Sequence, residues 1–265
     1  MHFFKNLSFH SFSLRQAGKG ELPQPPKKLD KIFLSEYDST RLAGFLFKKL
    51  AIFVVGTVFI FHVALIVYAL VLSLAYSFFN PPATSLMAER YVTRHYIPKP
   101  VLFIPLKKIP KYIPAMYVRV EDKNFYTHAG IDFEAIKRAY QVNSKYDKII
   151  LGGSTITQQL TRTLFLVPSR NYLRKYMEVI IALILDGVMS KERILELYLN
   201  YIEWGKGVYG LGAAVQYHYK KPISHLTREE FCRLAAIIVN PLDYNVNNFY
   251  KQPSMRSRYN ALLNL

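Results

Sequence analysis

The stretch YLRKYMEVIIALILDGVMSKERILELYLNYIEW, residues 172–204, decides the fold class. Its first half, residues 172–189, has a heavily apolar middle that is typical of a long helix. Its second half, residues 191–204, is amphipathic and carries apolar residues on one helix side: Ile194, Leu195, Tyr198 and Ile202. Because no strand-like alternation of comparable length occurs in the sequence, we expect a mainly α-helical domain.

Helix-start signals lie on both sides of this stretch. Thr155 and Gln158 have the spacing of a capping box, and Thr227 and Glu230 repeat it further along the chain. Asp132 is a suitable N-cap for another helix. These local signals extend the helical prediction over the whole domain.

A long uncharged segment precedes the domain. Residues 50–88 contain no Asp, Glu, Lys or Arg, and residues 50–79 are almost wholly apolar. About 20 apolar residues suffice to cross a bilayer as a helix. We therefore predict a single uncleaved transmembrane anchor, and Lys48 and Lys49 beside it favour a cytoplasmic N-terminus.

The overall charge and the cysteine count limit the kinds of binding partner and bound metal that the sequence allows. The chain has 265 residues, 35 Lys and Arg against 18 Asp and Glu, and a formal net charge of +17. Its single cysteine, Cys232, excludes an internal disulfide and a cysteine-based zinc site. A basic domain beside a membrane suits an anionic lipid surface or an anionic substrate. We expect no nucleic-acid partner, because the sequence contains no recognisable nucleic-acid-binding module.

Composition shifts divide the chain into five expected parts. They are a basic N-terminal tail, a transmembrane anchor, a Pro-rich connector, a helical domain and a C-terminal tail: residues 1–49, 50–79, 80–110, 111–250 and 251–265.

The first candidate site lies in EDKNFYTHAG, residues 121–130. A helix over residues 115–127 is expected to place Glu121 and His128 on one face. On residue chemistry alone, a solvated helix end with a structural histidine is the favoured alternative. The functional interpretation is that the Glu121 carboxylate acts as a general base.

The second candidate site is GGSTITQQ, residues 152–159. Two glycines before a helix start, followed by hydroxyl and amide side chains, suggest free N–H groups that could hold a phosphate. An ordinary capped helix is the commoner outcome. Arg162 and Arg170 nearby favour the phosphate site, because guanidinium groups pair well with phosphate oxygens.

Two further segments carry charged residues or glycines. Arg174 and Glu178 are four positions apart, so they can form a helix-surface ion pair, yet Glu178 leads into an apolar run. Residues 203–212, EWGKGVYGLG, predict a tight loop or a plain helix–helix turn. Two carboxylates, several cations and a phosphate-binding helix start together fit glycosyl transfer from a phosphate leaving group.

These segments together resemble glycosyltransferase family 51, the peptidoglycan glycosyltransferases. The family strings EDxxFxxHxG, GxSTIxQQ, RKxxE and KxxILExYLN occur in order at residues 121–130, 152–159, 174–178 and 191–200. An Ala-Ala helix ending in Asn240-Pro241 matches a fifth motif. Because no transpeptidase domain is expected after it, the chain is most similar to the monofunctional biosynthetic peptidoglycan transglycosylases.

The resemblance implies a fold, a reaction and a subcellular location. The fold would be a mainly α, lysozyme-like, two-lobed glycosyltransferase domain preceded by one transmembrane helix. The enzyme would be inverting, would polymerise lipid II into glycan strands and would release undecaprenyl pyrophosphate. It would be a single-pass protein of the bacterial inner membrane, with the catalytic domain on the periplasmic side. Partners would be lipid II, the growing strand, the membrane and other cell-wall synthesis proteins.

The resemblance also assigns roles to residues. Glu121 would be the base that deprotonates the acceptor 4-hydroxyl, and Glu178 would be the second catalytic glutamate. Residues binding the substrate or its pyrophosphate would be Ser154, Thr155, Gln158, Gln159, Arg162, Arg170, Arg174 and Lys175. Residues supporting the motifs would be Asp122, Phe125, His128, Gly130, Asn200 and Gly210. A divalent cation, Mg or Mn, would share the pyrophosphate, with Glu178 as its candidate ligand, and no organic cofactor is expected.

Two other functions remain open at this point. A lytic transglycosylase of the same lysozyme-like fold would cut glycan, but it would need no basic pyrophosphate site. A non-catalytic, membrane-anchored cell-wall scaffold would not need Glu121 or Glu178.

Overall fold

The computed structural model describes residues 27–169 and 171–265, and the side chains from residue 41 onward. Predictions made for residues 1–26 and for Arg170 lie outside the described residues. Within them the chain forms ten α-helices and one short hairpin: α1 (Lys27–Phe78), α2 (Ser85–Arg94), α3 (Tyr112–Glu121), α4 (Phe133–Tyr146), α5 (Ile156–Phe165), α6 (Tyr172–Val188), α7 (Lys191–Tyr201), β1 (Glu203–Gly205), β2 (Val208–Tyr209), α8 (Leu211–Tyr219), α9 (Arg228–Ile237) and α10 (Pro253–Leu263). The predicted mainly helical domain after one long apolar helix is confirmed.

Helix α1 contains the predicted anchor and extends beyond it. Its segment Arg41–Phe78, 38 residues, is long and apolar enough to cross a membrane. Three of its residues are buried at intervals of four, Leu65, Ala69 and Ser73. This spacing places them on one helix face. On that side, the ring of Tyr76 lies 6.0 Å from the ring of Phe165 in α5.

The Arg193 side chain of α7 caps the C-terminal end of α1. Its guanidinium donates to the carbonyl oxygens of Tyr76 at 2.9 Å and Phe79 at 2.8 Å, and to the Asn80 side-chain oxygen at 2.9 Å. The last carbonyls of a helix have no partner within the helix, and a cation there also suits the helix dipole. The end of α1 is thereby fixed to α7.

The structure corrects the expectation that residues 80–110 form only a Pro-rich connector. A helix, α2, forms within it because Thr84 caps its start by accepting from the Met87 N–H at 3.1 Å. Ser85 donates to the Leu164 carbonyl at 3.0 Å, which attaches α2 to α5. Proline content alone did not exclude this helix, because its prolines all lie outside residues 85–94.

The structure also corrects the expectation of a tail over residues 251–265. These residues contain α10, which begins at Pro253 and buries Met255 and Leu262. The two side chains are seven positions apart and face the same side of the helix, toward α9. The domain therefore continues beyond residue 250.

The core lies where α3, α5, α6, α7 and α9 meet. Its largest buried side chains are aromatic, and Tyr117 is their centre: its ring lies 5.9 Å from Tyr198, 6.0 Å from Trp204 and 5.4 Å from Phe231. Aromatic rings at these distances add to the stabilisation from burial. This cluster supports the end of α3, where the first candidate carboxylate lies.

Three predicted helix starts are confirmed. Thr155 and Gln158 form a capping box at α5, and Thr227 and Glu230 form one at α9. Asp132 accepts from the Ala135 N–H at 2.8 Å and caps α4. The glycine-rich segment after α7 is the hairpin of β1 and β2, which are antiparallel.

Candidate active site

Glu121 is the last residue of α3, and its side chain is 13% exposed. One carboxylate oxygen pairs with the guanidinium of Arg258, and the other accepts from the Gln159 side-chain amide at 3.2 Å. Gln159 is itself held by Tyr198, whose hydroxyl donates to the amide oxygen at 3.0 Å. Burial raises the pKa of Tyr198 well above its usual range, so this hydroxyl remains a donor.

Glu121 borders an open pocket of about 340 Å³. Polar and charged residues of the pocket come from α3, the turn after it, α4 and the segment before α5: Arg119, Asp122, Lys123, Asp132, Arg138, Ser154 and Thr155. The structure therefore brings three of the candidate site residues, Glu121, Ser154 and Thr155, to one cavity. A partly exposed carboxylate at the wall of such a pocket can accept a proton from a bound hydroxyl.

Arg258 is the site residue that sequence reasoning missed. Its side chain is 18% exposed, and its Nε donates to the Ala235 carbonyl of α9 at 2.9 Å. Burial lowers the pKa of Arg258, but an arginine remains protonated at neutral pH. The apolar spacing of Met255 and Leu262 was a weak signal for α10, but no local pattern indicates contact with Glu121.

The prediction that Glu121 and His128 share a helix face is wrong. Helix α3 ends at Glu121, because Asp122 has φ −159° and ψ 75° and leaves the helical conformation. His128 instead binds Asp122, with its Nε2 2.9 Å from a carboxylate oxygen. Phe125 is fully buried beside the histidine ring. The motif therefore places Glu121, Asp122 and Lys123 along the pocket, while Phe125 and His128 shape the turn behind them.

The buried carboxylate of Asp122 takes the place that was expected for a phosphate. It accepts from the Ile156 N–H, in the first turn of α5, at 2.9 Å. The N–H of Gln158 donates to the Thr155 hydroxyl and the N–H of Thr155 donates to the Gln158 side chain. These N–H groups of the helix start are satisfied within the protein, so they do not form the expected phosphate cradle.

Thr155 and Gln158 are consequently buried in the capping box. Thr155 also donates its hydroxyl to the Gly130 carbonyl at 2.7 Å. Gly130 has φ +83°, and a Cβ there would lie 2.6 Å from the Ala182 carbonyl oxygen. Glycine is required at this position because only it tolerates both the dihedral and the close approach.

Glu178 lies in a second cluster and is fully buried. Its two oxygens pair with Arg174 and with Lys175, whose Nζ lies 2.5 Å from the carboxylate. Lys175 also donates to the Ser154 hydroxyl at 3.2 Å and keeps 41% of its side chain exposed. The carboxylate therefore neutralises and orients two cations, and Lys175 is the one that reaches toward solvent.

Arg162 lies on α5 and lines a neighbouring cavity of about 280 Å³. Gln159, Arg90, Asn240 and Pro241 line the same cavity. Gln159 thus lines the cavity that contains Arg162 and also contacts Glu121, which borders the pocket of about 340 Å³.

The described residues do not fit a preformed metal site at Glu178. Mg and Mn prefer several oxygen ligands with free lone pairs. Both Glu178 oxygens already face cations, and no cluster of three His, Cys, Asp or Glu side chains occurs in the described residues. We therefore derive no step that involves a metal.

Asn200 and Gly210 support the framework. The Asn200 side chain accepts from the Ile104 N–H at 2.8 Å and donates to the Ile104 carbonyl at 2.9 Å, which joins the segment before α3 to α7. Gly210 has φ +80°, and a Cβ there would lie 2.2 Å from the Asn200 carbonyl oxygen. Both residues hold backbone in place and neither lines one of the two cavities described above.

Two apolar surfaces adjoin these clusters. Tyr140, Tyr146, Ile149 and Ile150 are exposed on α4 and the segment after it, beside Lys145 and Lys148. Asn143 holds that segment, because its side chain accepts from the N–H groups of Ile150 at 2.7 Å and Leu151 at 3.0 Å. Tyr172 and Leu173 are exposed at the start of α6.

His62, the only histidine of the predicted anchor, contacts α6. Its Nε2 lies 2.6 Å from the hydroxyl of Tyr176, and the two rings meet edge to face at 5.8 Å. Tyr176 follows Lys175 directly and precedes Glu178 by two positions. The apolar helix and the Glu178 cluster are therefore connected through this polar contact.

Known proteins with similar sequences share one description. A family model described as transglycosylase matches residues 92–265. A biosynthetic peptidoglycan transglycosylase of Herminiimonas arsenicoxydans is 41% identical over 172 residues, which are 63% of this chain and 74% of that protein. Proteins of the same name from Nitrosospira multiformis and Dechloromonas aromatica are 42% and 39% identical; the matches cover 65% and 66% of this chain, and 76% and 77% of those proteins.

Proposed function

This chain belongs to the transglycosylase family and is a peptidoglycan glycosyltransferase of cell-wall biosynthesis; on that premise we propose that it polymerises lipid II, with Glu121 as its base. The observation that carries the proposal is the Glu121 carboxylate at the wall of a pocket, held by Gln159 and Arg258. A carboxylate in such a position is accessible to substrate and has a fixed orientation.

In the proposed reaction, the 4-hydroxyl of the acceptor N-acetylglucosamine attacks C1 of the donor N-acetylmuramic acid. The hydroxyl proton moves to Glu121 while the bond from C1 to undecaprenyl pyrophosphate breaks, and the configuration at C1 inverts. Base assistance is needed because a sugar hydroxyl is barely ionised at neutral pH. General-base catalysis of this kind contributes about 10²–10⁴-fold.

Cations stabilise the pyrophosphate as it leaves. Arg162 faces the cavity next to the Glu121 pocket, and Lys175 extends beside Ser154. Positive groups that are already oriented lower the barrier most where negative charge develops. Arg174 acts through Glu178, which fixes the position of both cations, and Arg170 belongs to the same proposed set by its place in the motif.

The protein is anchored by one apolar helix, and we place it in the bacterial inner membrane with the domain on the periplasmic side. Lys48 and Lys49 mark the cytoplasmic end of the apolar run. The exposed apolar and basic residues between α4 and α5 suit the boundary of an anionic bilayer. A lipid-linked donor can then reach the active site without leaving the membrane. Other cell-wall synthesis proteins are proposed partners.

The full-length protein in vesicles with fluorescent lipid II tests this proposal. We expect glycan polymers in the native protein and polymerisation at least about a hundredfold slower in Glu121→Gln. Glu192→Gln, which changes an exposed carboxylate on α7, should keep the native rate. Cleavage of mature wall without polymer formation would identify a lytic enzyme instead. Absence of both activities would leave a scaffold role.

A further inference from the structure

Arg258 is the described cation that pairs directly with Glu121. It comes from α10, whereas the matched family motifs provide Glu121 and Gln159. Its guanidinium cannot follow the carboxylate freely, because Nε is bound to the Ala235 carbonyl at 2.9 Å. A guanidinium with a fixed plane imposes a direction on the carboxylate that it pairs with.

The other groups around Glu121 do not replace this cation. Gln159 is neutral, Tyr198 donates to Gln159, and Asp122 is turned toward Ile156 and His128. Other charged or titratable groups lie on the elements that surround it: Tyr117, Arg119, Lys123, Asp132, Arg138 and Arg162. Of these, Arg119 and Lys123 are exposed, so water screens their charge at the carboxylate.

We propose that Arg258 is a positioning residue that orients the Glu121 carboxylate and keeps it ionised between turnovers. This inference rests on the proposed role of Glu121 as the base. The Gln159 contact, at 3.2 Å, is the weaker one, so an acceptor hydroxyl displaces it more easily than the ion pair. After proton transfer, the neighbouring cation favours loss of the proton to solvent and restores the base.

The pH dependence of kcat/KM in Arg258→Gln tests the proposal. An opposite charge at contact distance lowers a carboxyl pKa by about 1–3 units. We therefore expect the acidic limb of the profile to move to higher pH by about one unit or more. The rate at neutral pH should fall at least about tenfold. Arg256→Gln is the matched control, because Arg256 is exposed on the same helix.

Two further variants separate charge from geometry. Arg258→Lys should keep the acidic limb near its native position but lower the rate, because an ammonium cannot reproduce the guanidinium contacts. Arg258→Ala should regain part of its rate when guanidinium is added at millimolar concentration. These two variants also test the proposal if Arg258→Gln does not fold.

The outcomes distinguish this inference from the proposed function. If Arg258→Gln loses rate equally at every pH, or keeps the native profile, Arg258 has no role in ionisation and the inference is overturned. A native rate in Arg258→Lys would overturn the positioning role. If Glu121→Gln itself keeps polymerising, the base assignment fails and this inference fails with it.

Discussion

The surroundings of Glu121 and of Glu178 differ in what they allow a carboxylate to do. Glu121 ends a helix, borders a pocket and has one cation and one amide as partners. Glu178 lies within α6, is fully buried and has a cation on each oxygen. A bound hydroxyl cannot reach Glu178, because the residue has no exposed surface and both of its oxygens are already paired. The comparison favours Glu121 for the proposed proton transfer and Glu178 for the placement of cations.

Glu121→Gln should cause the largest loss of activity. The amide keeps the size of the side chain but is too weak a base, so polymerisation should slow at least about a hundredfold. Lipid II binding and the melting temperature should change little, and both can be measured on the same preparation. A polymerisation rate near the native one would remove the distinction between the two glutamates.

Glu178→Gln should reduce both activity and stability. Removing one partner of a buried ion pair costs about 3–5 kcal/mol, and the exposed part of Lys175 should keep the loss near the lower end. The double change Glu178→Gln with Arg174→Gln should recover part of the stability, because fewer charges remain unpaired. Denaturant unfolding measures this, and strict additivity of the two losses would contradict it.

Arg162→Ala should slow the same step of polymerisation that Glu178→Gln slows. If both changes weaken stabilisation of the leaving pyrophosphate, the double variant should lose less than the product of the two single losses. Single-turnover polymerisation with saturating lipid II provides the comparison. Independent, multiplicative losses would assign Arg162 and Glu178 to different steps.

Asp122→Asn should affect stability more than chemistry. Both Asp122 oxygens contact His128 Nε2, at 2.9 and 3.0 Å, and one of them also accepts from the Ile156 N–H. Asparagine replaces one of these oxygens with an NH₂ donor, and a lost buried hydrogen bond costs about 1–3 kcal/mol. We expect a lower midpoint of unfolding and near-native turnover at temperatures where the variant stays folded. A hundredfold loss of turnover in a folded Asp122→Asn would show that the base is not Glu121 alone.

His62→Leu should have the smallest effect. It removes the contact with Tyr176 while keeping the helix apolar, so activity in vesicles should fall only severalfold, a cost typical of one polar contact within a membrane. Tyr176→Phe should give a similar loss, and the double variant should be no worse than either single one. A larger loss in the double variant would mean that the two side chains act separately.

The features predicted correctly from sequence are those that depend on neighbours in the chain. Both capping boxes and the Asp132 cap were predictable because each involves residues three positions apart. The helices with clear apolar spacing were predictable for the same reason. Helix α10 was missed because its buried side chains are few and its sequence is largely polar.

Contacts between distant segments were not predictable in the same way. The spacing of GGSTITQQ indicated a capped helix start. It could not indicate that the Ile156 N–H donates to the Asp122 carboxylate, because that residue lies 34 positions earlier in the chain. The same holds for Arg258 and Glu121, which lie on different helices. Sequence patterns identified the residue types of the site, whereas packing decided which of them face the pocket.

The pairing of Arg258 with Glu121 has a consequence for how the protein acquires activity during folding. Contacts between segments far apart in the chain form late, because closing a long loop costs entropy before the contact is gained. A chain in which α3 and α5 have formed but α10 has not yet packed on α9 holds the carboxylate without its cation. Recovery of activity after refolding should therefore lag behind recovery of helix content.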